Sequence, residues 1–170
     1  MANCVTISGF SLGCNAGMAG ISKVYIGDWV EGDSFVKDGN GIIGTFSFAG
    51  ATTSYYTFEQ EIGVGSFVEP PKFENNNVYY EQSLQITLHN LDNNTRKEIL
   101  ALNRGKWRVI IQDQRGNYKL MGENNPVRAS AGDIGVGKAP GDLHGAIITF
   151  TCTENEMAPF ITAACVASVV

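Results

Sequence analysis

The sequence predicts a mostly β protein, a β-sandwich or barrel of about six or seven antiparallel strands with one short helix packed against it. Three observations lead to this class: a long two-residue alternation from Val78 to His89, a hairpin pattern from Trp107 to Leu120, and a single segment with helical signals at Thr95 to Asn103. Strand signals separated by turn-rich segments, without a helix between each pair, favour an antiparallel architecture.

The alternation from Val78 to His89 is the clearest strand signal. One face carries Val78, Tyr80, Gln82, Leu84, Ile86 and Leu88, and the other is mainly polar. This pattern is typical of a half-buried antiparallel strand. Ala146 to Thr153 shows a second strong strand, with Ile148, Phe150 and Cys152 on one face.

The helical segment has start and stop signals. Asp92 or Asn93 offers an N-cap before Thr95 to Asn103, and Gly105 is suited to end the helix. Ile99, Leu100 and Leu102 supply the residues for burial.

Further strands and loops follow from turn residues and apolar runs. The hairpin from Trp107 to Leu120 turns at Asp113 to Gly116. Three less regular strands are predicted at Ser22–Trp29, Ile42–Phe48 and Tyr55–Glu61. Glu31–Gly41 is predicted to be a turn-rich loop, and Gly65–Asn77 and Gly122–Gly141 two long loops.

The length and composition favour one domain that associates with a partner. A chain of 170 residues usually forms one domain, so we predict a single domain over 1–170 with arms at 1–20 and 158–170. Charged residues make up only 17% and glycine numbers 20, which leaves a poorly solvated surface for a monomer. The net charge of −5 argues against tight phosphate binding.

The N-terminal residues lack the basic start and apolar run of a secretory signal, and no window reaches the roughly 18 apolar residues of a membrane span. We therefore expect a protein made in a cytoplasm without membrane association. Its four cysteines, Cys4, Cys14, Cys152 and Cys165, are then expected to be thiols.

One motif has the spacing of a phosphate-binding loop. Gly132 to Lys138 matches GxxxxGK, but Ala139 stands where Ser or Thr should hold magnesium. Pro140 and Gly141 follow instead of a helix. We interpret this segment as a flexible glycine-rich loop and predict no nucleotide site.

Other chemistry-bearing residues do not form a catalytic or metal-binding pattern. His89 and His144 lie far apart in the sequence and are expected on the surface, and the cysteines form no CxxC pair. Asp28, Glu31 and Asp33 are interpreted as solvated loop charges. We therefore predict no catalytic residues, no metal site and no cofactor, and a protein that is not an enzyme.

Basic residues cluster around the helix. The cluster consists of Arg96, Lys97, Arg104, Lys106 and Arg108. It is either a solvated helix face or a patch that meets the acidic surface of a neighbouring subunit.

The succession of these segments resembles tail-tube-type structural proteins of bacteriophages, in particular those infecting Bacteroides-like hosts. The resemblance is carried by Tyr79–Leu88, Asn94–Arg96, Trp107–Asp113, Gly116–Gly122, Gly141–Phe150 and the opening Cys4–Cys14 with Gly20–Ile26. It implies a β-barrel subunit that forms rings, usually hexameric, stacked into a tube through which double-stranded DNA passes. It further implies a place in the virion tail after assembly in the host cytoplasm, contacts with other tail or neck proteins, and no catalytic residues.

Other functions remain open alternatives. A ring, neck or tail-completion protein of the same fold is one, and an enzyme on a β scaffold is another. A sugar-binding sandwich on a virion or cell surface would need clustered exposed aromatics, for which Tyr55, Tyr56, Tyr79 and Tyr80 are the candidates.

Two segments are expected to join subunits. Gly65–Asn77 is predicted to be an irregular bridging loop, because it carries Phe67, Val68 and Phe73. Ala158–Val170 has no charged side chain and is predicted to be an assembly arm; the alternative is a final strand of its own domain.

Overall fold

The structure, a computed structural model, describes residues 9, 17–51 and 54–170. Within these ranges the chain forms two β-sheets that share a hydrophobic core, with two helices. The predicted mostly β, sandwich-like class is therefore confirmed. The described residues contain twelve strands and two helices, and their sheets do not close into a barrel. Most of the predicted arm at 1–20, including Cys4 and Cys14, lies outside the described residues.

The first sheet has seven strands. In spatial order they are β2 (Ser34–Lys37), β3 (Ile43–Ser47), β12 (Phe160–Ile161), β9 (Tyr118–Met121), β8 (Trp107–Asp113), β1 (Ile21–Asp28) and β4 (Tyr56–Glu59). Neighbouring strands are antiparallel except β3 and β12, which are parallel. Strand β12 therefore joins the β2–β3 hairpin to the rest of the sheet.

The second sheet has five strands. Its spatial order is β10 (Arg128–Gly135), β11 (Gly145–Glu154), β7 (Asn77–His89) and β5 (Ser66–Val68), and β6 (Pro71–Glu74) pairs with the N-terminal part of β7. All of these pairings are antiparallel. The helices are α1 (Asn93–Arg104) and α2 (Ala163–Ala167).

The main core lies between the two sheets and follows the predicted alternation. Leu84 and Ile86 of β7 and Phe150 of β11 are fully buried. They pack with residues of the first sheet and of α1, namely Val24, Ile26, Val109, Ile111, Met121, Ile99 and Leu102. The two-residue period therefore predicts correctly which face of β7 is buried.

Helix α1 has the predicted cap and end. The backbone N–H of Thr95 donates to Oδ1 of Asp92 at 2.7 Å, which satisfies one of the unpaired donors of the first turn. Gly105 ends the helix in an extended conformation, and a methyl group there would overlap the indole of Trp107. The glycine is therefore required by the close approach of Trp107. Leu100, which was predicted to be buried, is exposed.

The opposite face of the seven-stranded sheet forms a second core. Tyr25, Ile110 and Leu120 point to this side, where the C-terminal segment covers them with Ile161, Cys165, Val166 and Val169. The prediction of an arm at 158–170 therefore disagrees with the observed packing. The alternative agrees with it, because the segment completes a sheet of its own chain.

The turn-rich loop and the two long loops that the sequence predicts all contain strands. Glu31–Gly41 includes β2, Gly65–Asn77 includes β5 and β6, and Gly122–Gly141 includes β10. These strands are short or lie at sheet edges and are largely exposed. Without a buried face they carry no regular apolar alternation, so the sequence pattern does not reveal them.

Candidate assembly surface

The outward side of the five-stranded sheet is a broad polar surface. Positions that alternate with the core residues form this outer face: Ser66, Val68, Glu81, Ser83, Gln85, Arg128, Ala131, Asp133, Ile147, Thr149, Thr151 and Thr153. On the two central strands, Thr151 lies opposite Ser83 and Thr149 opposite Gln85. The middle of the outer face therefore presents hydroxyl and amide groups without charge.

The charges of the outer face lie near its margins. Glu81 is paired with Lys72, with 3.5 Å between Nζ and Oε2, and Arg128 and Asp133 are on the edge strand β10. These charges are mixed in sign. A surface of this kind has little electrostatic attraction for phosphates, because such binding depends on clustered lysine and arginine.

Both edges of this sheet are open within the described part of the chain. Strand β10 pairs only with β11, and β5 and β6 pair only with β7. An unpaired edge presents backbone N–H and C=O groups that can bind a strand of another chain. Strand β10 is eight residues long and has no lysine or proline, and its irregularity between Ala129 and Ala131 is one feature that opposes pairing.

Strand β6 and the start of β7 form a hairpin that we call the projecting hairpin (71–80). Asn75 and Asn76 at its tip have φ values of 48° and 65°, as the central residues of a type I′ turn require. Phe73 and Val78 lie directly opposite each other and are 74% and 50% exposed. The projecting hairpin therefore carries a solvent-facing apolar pair on a well-defined turn.

A cleft of about 510 Å³ opens beside β5 and β9. Its lining includes Ile21, Phe67, Ile111, Arg115, Lys119 and Phe160. Nζ of Lys119 lies 5.7 Å from the ring centroid of Phe67 and 5.3 Å from that of Phe160, and 3.1 Å from Oε1 of Glu69. The cleft thus has apolar walls. The charge of Lys119 is matched by Glu69, and Asp113 lines the cleft together with the exposed Arg115 at its rim.

The segment with phosphate-loop spacing cannot cradle a phosphate in this geometry. Gly132 to Gly135 belong to β10, and the backbone N–H groups of Lys138 and Ala139 donate to Oδ2 of Asp142 at 2.8 and 2.7 Å. These hydrogen bonds lower the pKa of Asp142. A carboxylate of the protein therefore occupies the donors that an anion would need.

The histidines and cysteines take ordinary structural places. His89 and His144 are both exposed, as predicted; His144 Nδ1 accepts a hydrogen bond from the N–H of Leu91 at 3.3 Å. Cys152 and Cys165 are buried and form no disulfide with a described residue. No group of three potential metal ligands occurs among the residues that the structure describes.

The prediction for Asp33 and Arg108 is wrong, because the two side chains form a buried ion pair. Nη1 of Arg108 lies 2.6 Å from Oδ2 of Asp33, and both side chains are almost inaccessible. Arg108 also donates to the carbonyl of Gly122 and stacks 4.8 Å from the ring of Phe35. Asp33 is therefore not a solvated loop charge, whereas Asp28 and Glu31 are exposed.

Arg108 is therefore not part of the exposed basic cluster around α1. Arg96, Lys97, Arg104 and Lys106 are exposed on or after α1, while Arg108 faces the interior. Within the described ranges, none of the four exposed cations forms an ion pair.

The four candidate tyrosines do not share one surface. Tyr55 is buried, and burial raises its pKa to about 12, whereas Tyr56 is 71% exposed on β4 of the seven-stranded sheet. Tyr79 and Tyr80 are half-buried on β7 of the other sheet. This arrangement does not give the clustered aromatic groove that a sugar-binding module would need.

The projecting hairpin is the main feature that sequence reasoning missed. Its signal was the Asn75–Asn76 pair between Phe73 and Val78, since asparagine tolerates positive φ in two-residue turns.

No helix within the described ranges is long and apolar enough to span a membrane. No protein-family model matches this chain, and no curated protein or solved structure is significantly similar to it.

Proposed function

We propose that this protein is a structural, non-catalytic subunit that assembles with copies of itself into rings that stack as a phage tail tube. The observation that carries the proposal is the outer face of the five-stranded sheet, which is polar, nearly uncharged in its middle and bounded by two open edges. The resemblance of the sequence to phage tail-tube proteins agrees with this role and suggests a hexameric ring.

The two open edges suit a head-to-tail contact. If β10 of one copy pairs with β5 of the next, the sheet continues from subunit to subunit. Because the two edges are different surfaces, the contact is heterologous, and such contacts close into rings when the rotation between subunits allows it. The outer face then becomes the wall of the ring.

The chemistry of the outer face suits a wall along which DNA slides. Serine, threonine and glutamine side chains at its centre offer weak, exchangeable hydrogen bonds and no fixed positive charge. Phosphates are therefore not held by ion pairs, and binding that depends on counterion release stays weak. The net charge of −5 of the whole chain acts in the same direction.

Negative-stain microscopy and light scattering of the purified protein test the assembly directly. We expect rings or tubes with a central channel, and a chain that stays monomeric at high concentration would contradict the proposal. The edge contact is tested by cysteines at Ala131 of β10 and Val68 of β5, both exposed. The double variant should form a disulfide-linked ladder on mild oxidation, and the wild type controls for its native cysteines.

Microscopy also distinguishes a tube subunit from a neck or tail-completion protein of the same fold. Rings that never stack would favour a neck or tail-completion protein over a tube subunit. A channel wall that binds DNA tightly, with affinity falling steeply as salt rises, would count against a conduit.

A further inference from the structure

We propose that the projecting hairpin (71–80) of one copy docks into the cleft beside β5 and β9 of a second copy. This inference rests on the proposed self-assembly and identifies a contact separate from the β10 edge. It starts from the apolar side of the hairpin, where Phe73 and Val78 face solvent in their own chain. Pro71 and Tyr80 lie opposite each other on the same side.

The hairpin is built as a rigid element. Its register is continuous from Pro71–Tyr80 to Glu74–Asn77, and the tip is closed by Asn75 and Asn76 with positive φ. A preformed two-stranded element loses little conformational entropy on docking. An exposed apolar pair on a preformed turn is therefore suited to binding.

The cleft offers the hairpin apolar walls and one exposed cation, Arg115. Its volume of about 510 Å³ and its walls, which include Phe67, Ile111 and Phe160, can receive apolar side chains. Arg115 is exposed at its rim and forms no ion pair with another described residue. Glu74, at the tip of the hairpin, is likewise exposed and outside any described ion pair. Its side chain lies on the Lys72–Tyr79 side, opposite Phe73, so it would meet Arg115 of the second copy at the rim of the cleft while Phe73 enters between the apolar walls.

The geometry makes this contact heterologous, since the hairpin and the cleft are different surfaces of one chain. Each copy therefore offers one of each, and the contact can propagate from copy to copy. Docking uses the side chains that line the cleft, among them Phe67 of β5, whereas edge pairing uses backbone groups of β10 and β5, so the two contacts can act together in one assembly.

Two variants that each remove one side of the contact test the proposal. Phe73→Asp removes the hairpin side and Phe160→Asp, at a half-exposed residue of the cleft, removes the other. Each alone should raise the concentration needed for assembly by about tenfold or more. In sedimentation velocity, a mixture of the two should form larger species than either variant alone at the same concentration, because one intact hairpin still meets one intact cleft. Val36→Asp, an exposed apolar position on β2 (60% exposed), is the matched control and should assemble normally.

A charge exchange at exposed residues gives a second measurement that does not depend on the core. Glu74→Arg and Arg115→Glu should each weaken assembly, and the double variant should restore it. Circular dichroism and thermal melting establish that each variant is folded. If the wild type assembles and Phe73→Asp assembles equally well, this inference is overturned. The proposed function would still stand, because assembly would not require the hairpin.

Two further outcomes complete the test. Loss of assembly in Phe73→Asp without larger species in the mixture, or without recovery in the charge exchange, would place the hairpin elsewhere than in the cleft and would also overturn the inference. A wild type that is monomeric at every concentration would refute the proposed function itself.

Discussion

Truncation after Met157 should abolish folding, because the C-terminal segment is part of both the seven-stranded sheet and the second core. The truncation removes β12, which lies between β3 and β9, and the buried side chains of Ile161, Val166 and Val169. Burial of such side chains contributes about 1.5–3 kcal/mol each, so the three together contribute roughly 5–9 kcal/mol. That is comparable with the whole stability of a typical domain, about 5–15 kcal/mol.

Single substitutions allow the same reasoning to be measured in a protein that still folds. Val166→Ala and Val169→Ala remove buried methyl groups and should each lower the free energy of unfolding in urea by roughly 1–3 kcal/mol. Val170→Ala is the matched control, because Val170 is 54% exposed and should change stability by less than about 0.5 kcal/mol.

Far-UV circular dichroism and urea titration of the chain truncated after Met157 test whether it still folds. We expect no cooperative unfolding transition. A truncated monomer with the wild-type transition midpoint would refute the packing argument and would support an arm that acts only between subunits.

The remaining predictions concern Arg108, Cys152 and Gly105. Arg108→Met should destabilise the fold by about 3–5 kcal/mol in urea titration, because it leaves the Asp33 carboxylate buried without its partner, and near-wild-type stability would contradict this. Burial, with a smaller contribution from a nearby glutamate, raises the pKa of Cys152 to about 12. The stability that this protonated thiol provides is complete below the ordinary thiol pKa near 9 and should be lost as pH rises through 12. Peptide mapping should show Cys152 unmodified by iodoacetamide at pH 8 until the protein is unfolded, and rapid native labelling would contradict it. Gly105→Ala should lower the melting temperature through overlap with the neighbouring indole, whereas Gly39→Ala, with open space around it, should not.

For the projecting hairpin, the sequence indicated the apolar character of the segment but not its strands. Phe67, Val68 and Phe73 marked Gly65–Asn77 as more apolar than a solvated loop, and that observation remains valid. The strands within it were missed, because β5 and β6 acquire their structure by pairing with β7. Such pairing depends on a partner elsewhere in the chain, and short exposed strands carry too few apolar residues to signal it.

The sequence by itself determined the elements whose burial repeats with a regular period. The alternation of β7, the strand β11, the capped helix α1 and the hairpin of β8 and β9 were all predicted, because side-chain periodicity and turn chemistry are local properties. Tertiary structure alone decided the rest. It placed β12 inside a sheet, it paired Arg108 with Asp33 across 75 residues, and among the described residues it left the edges of the five-stranded sheet without a partner strand. These outcomes depend on which distant residues meet, and the free energy of burying a charge or an apolar segment is set by those neighbours.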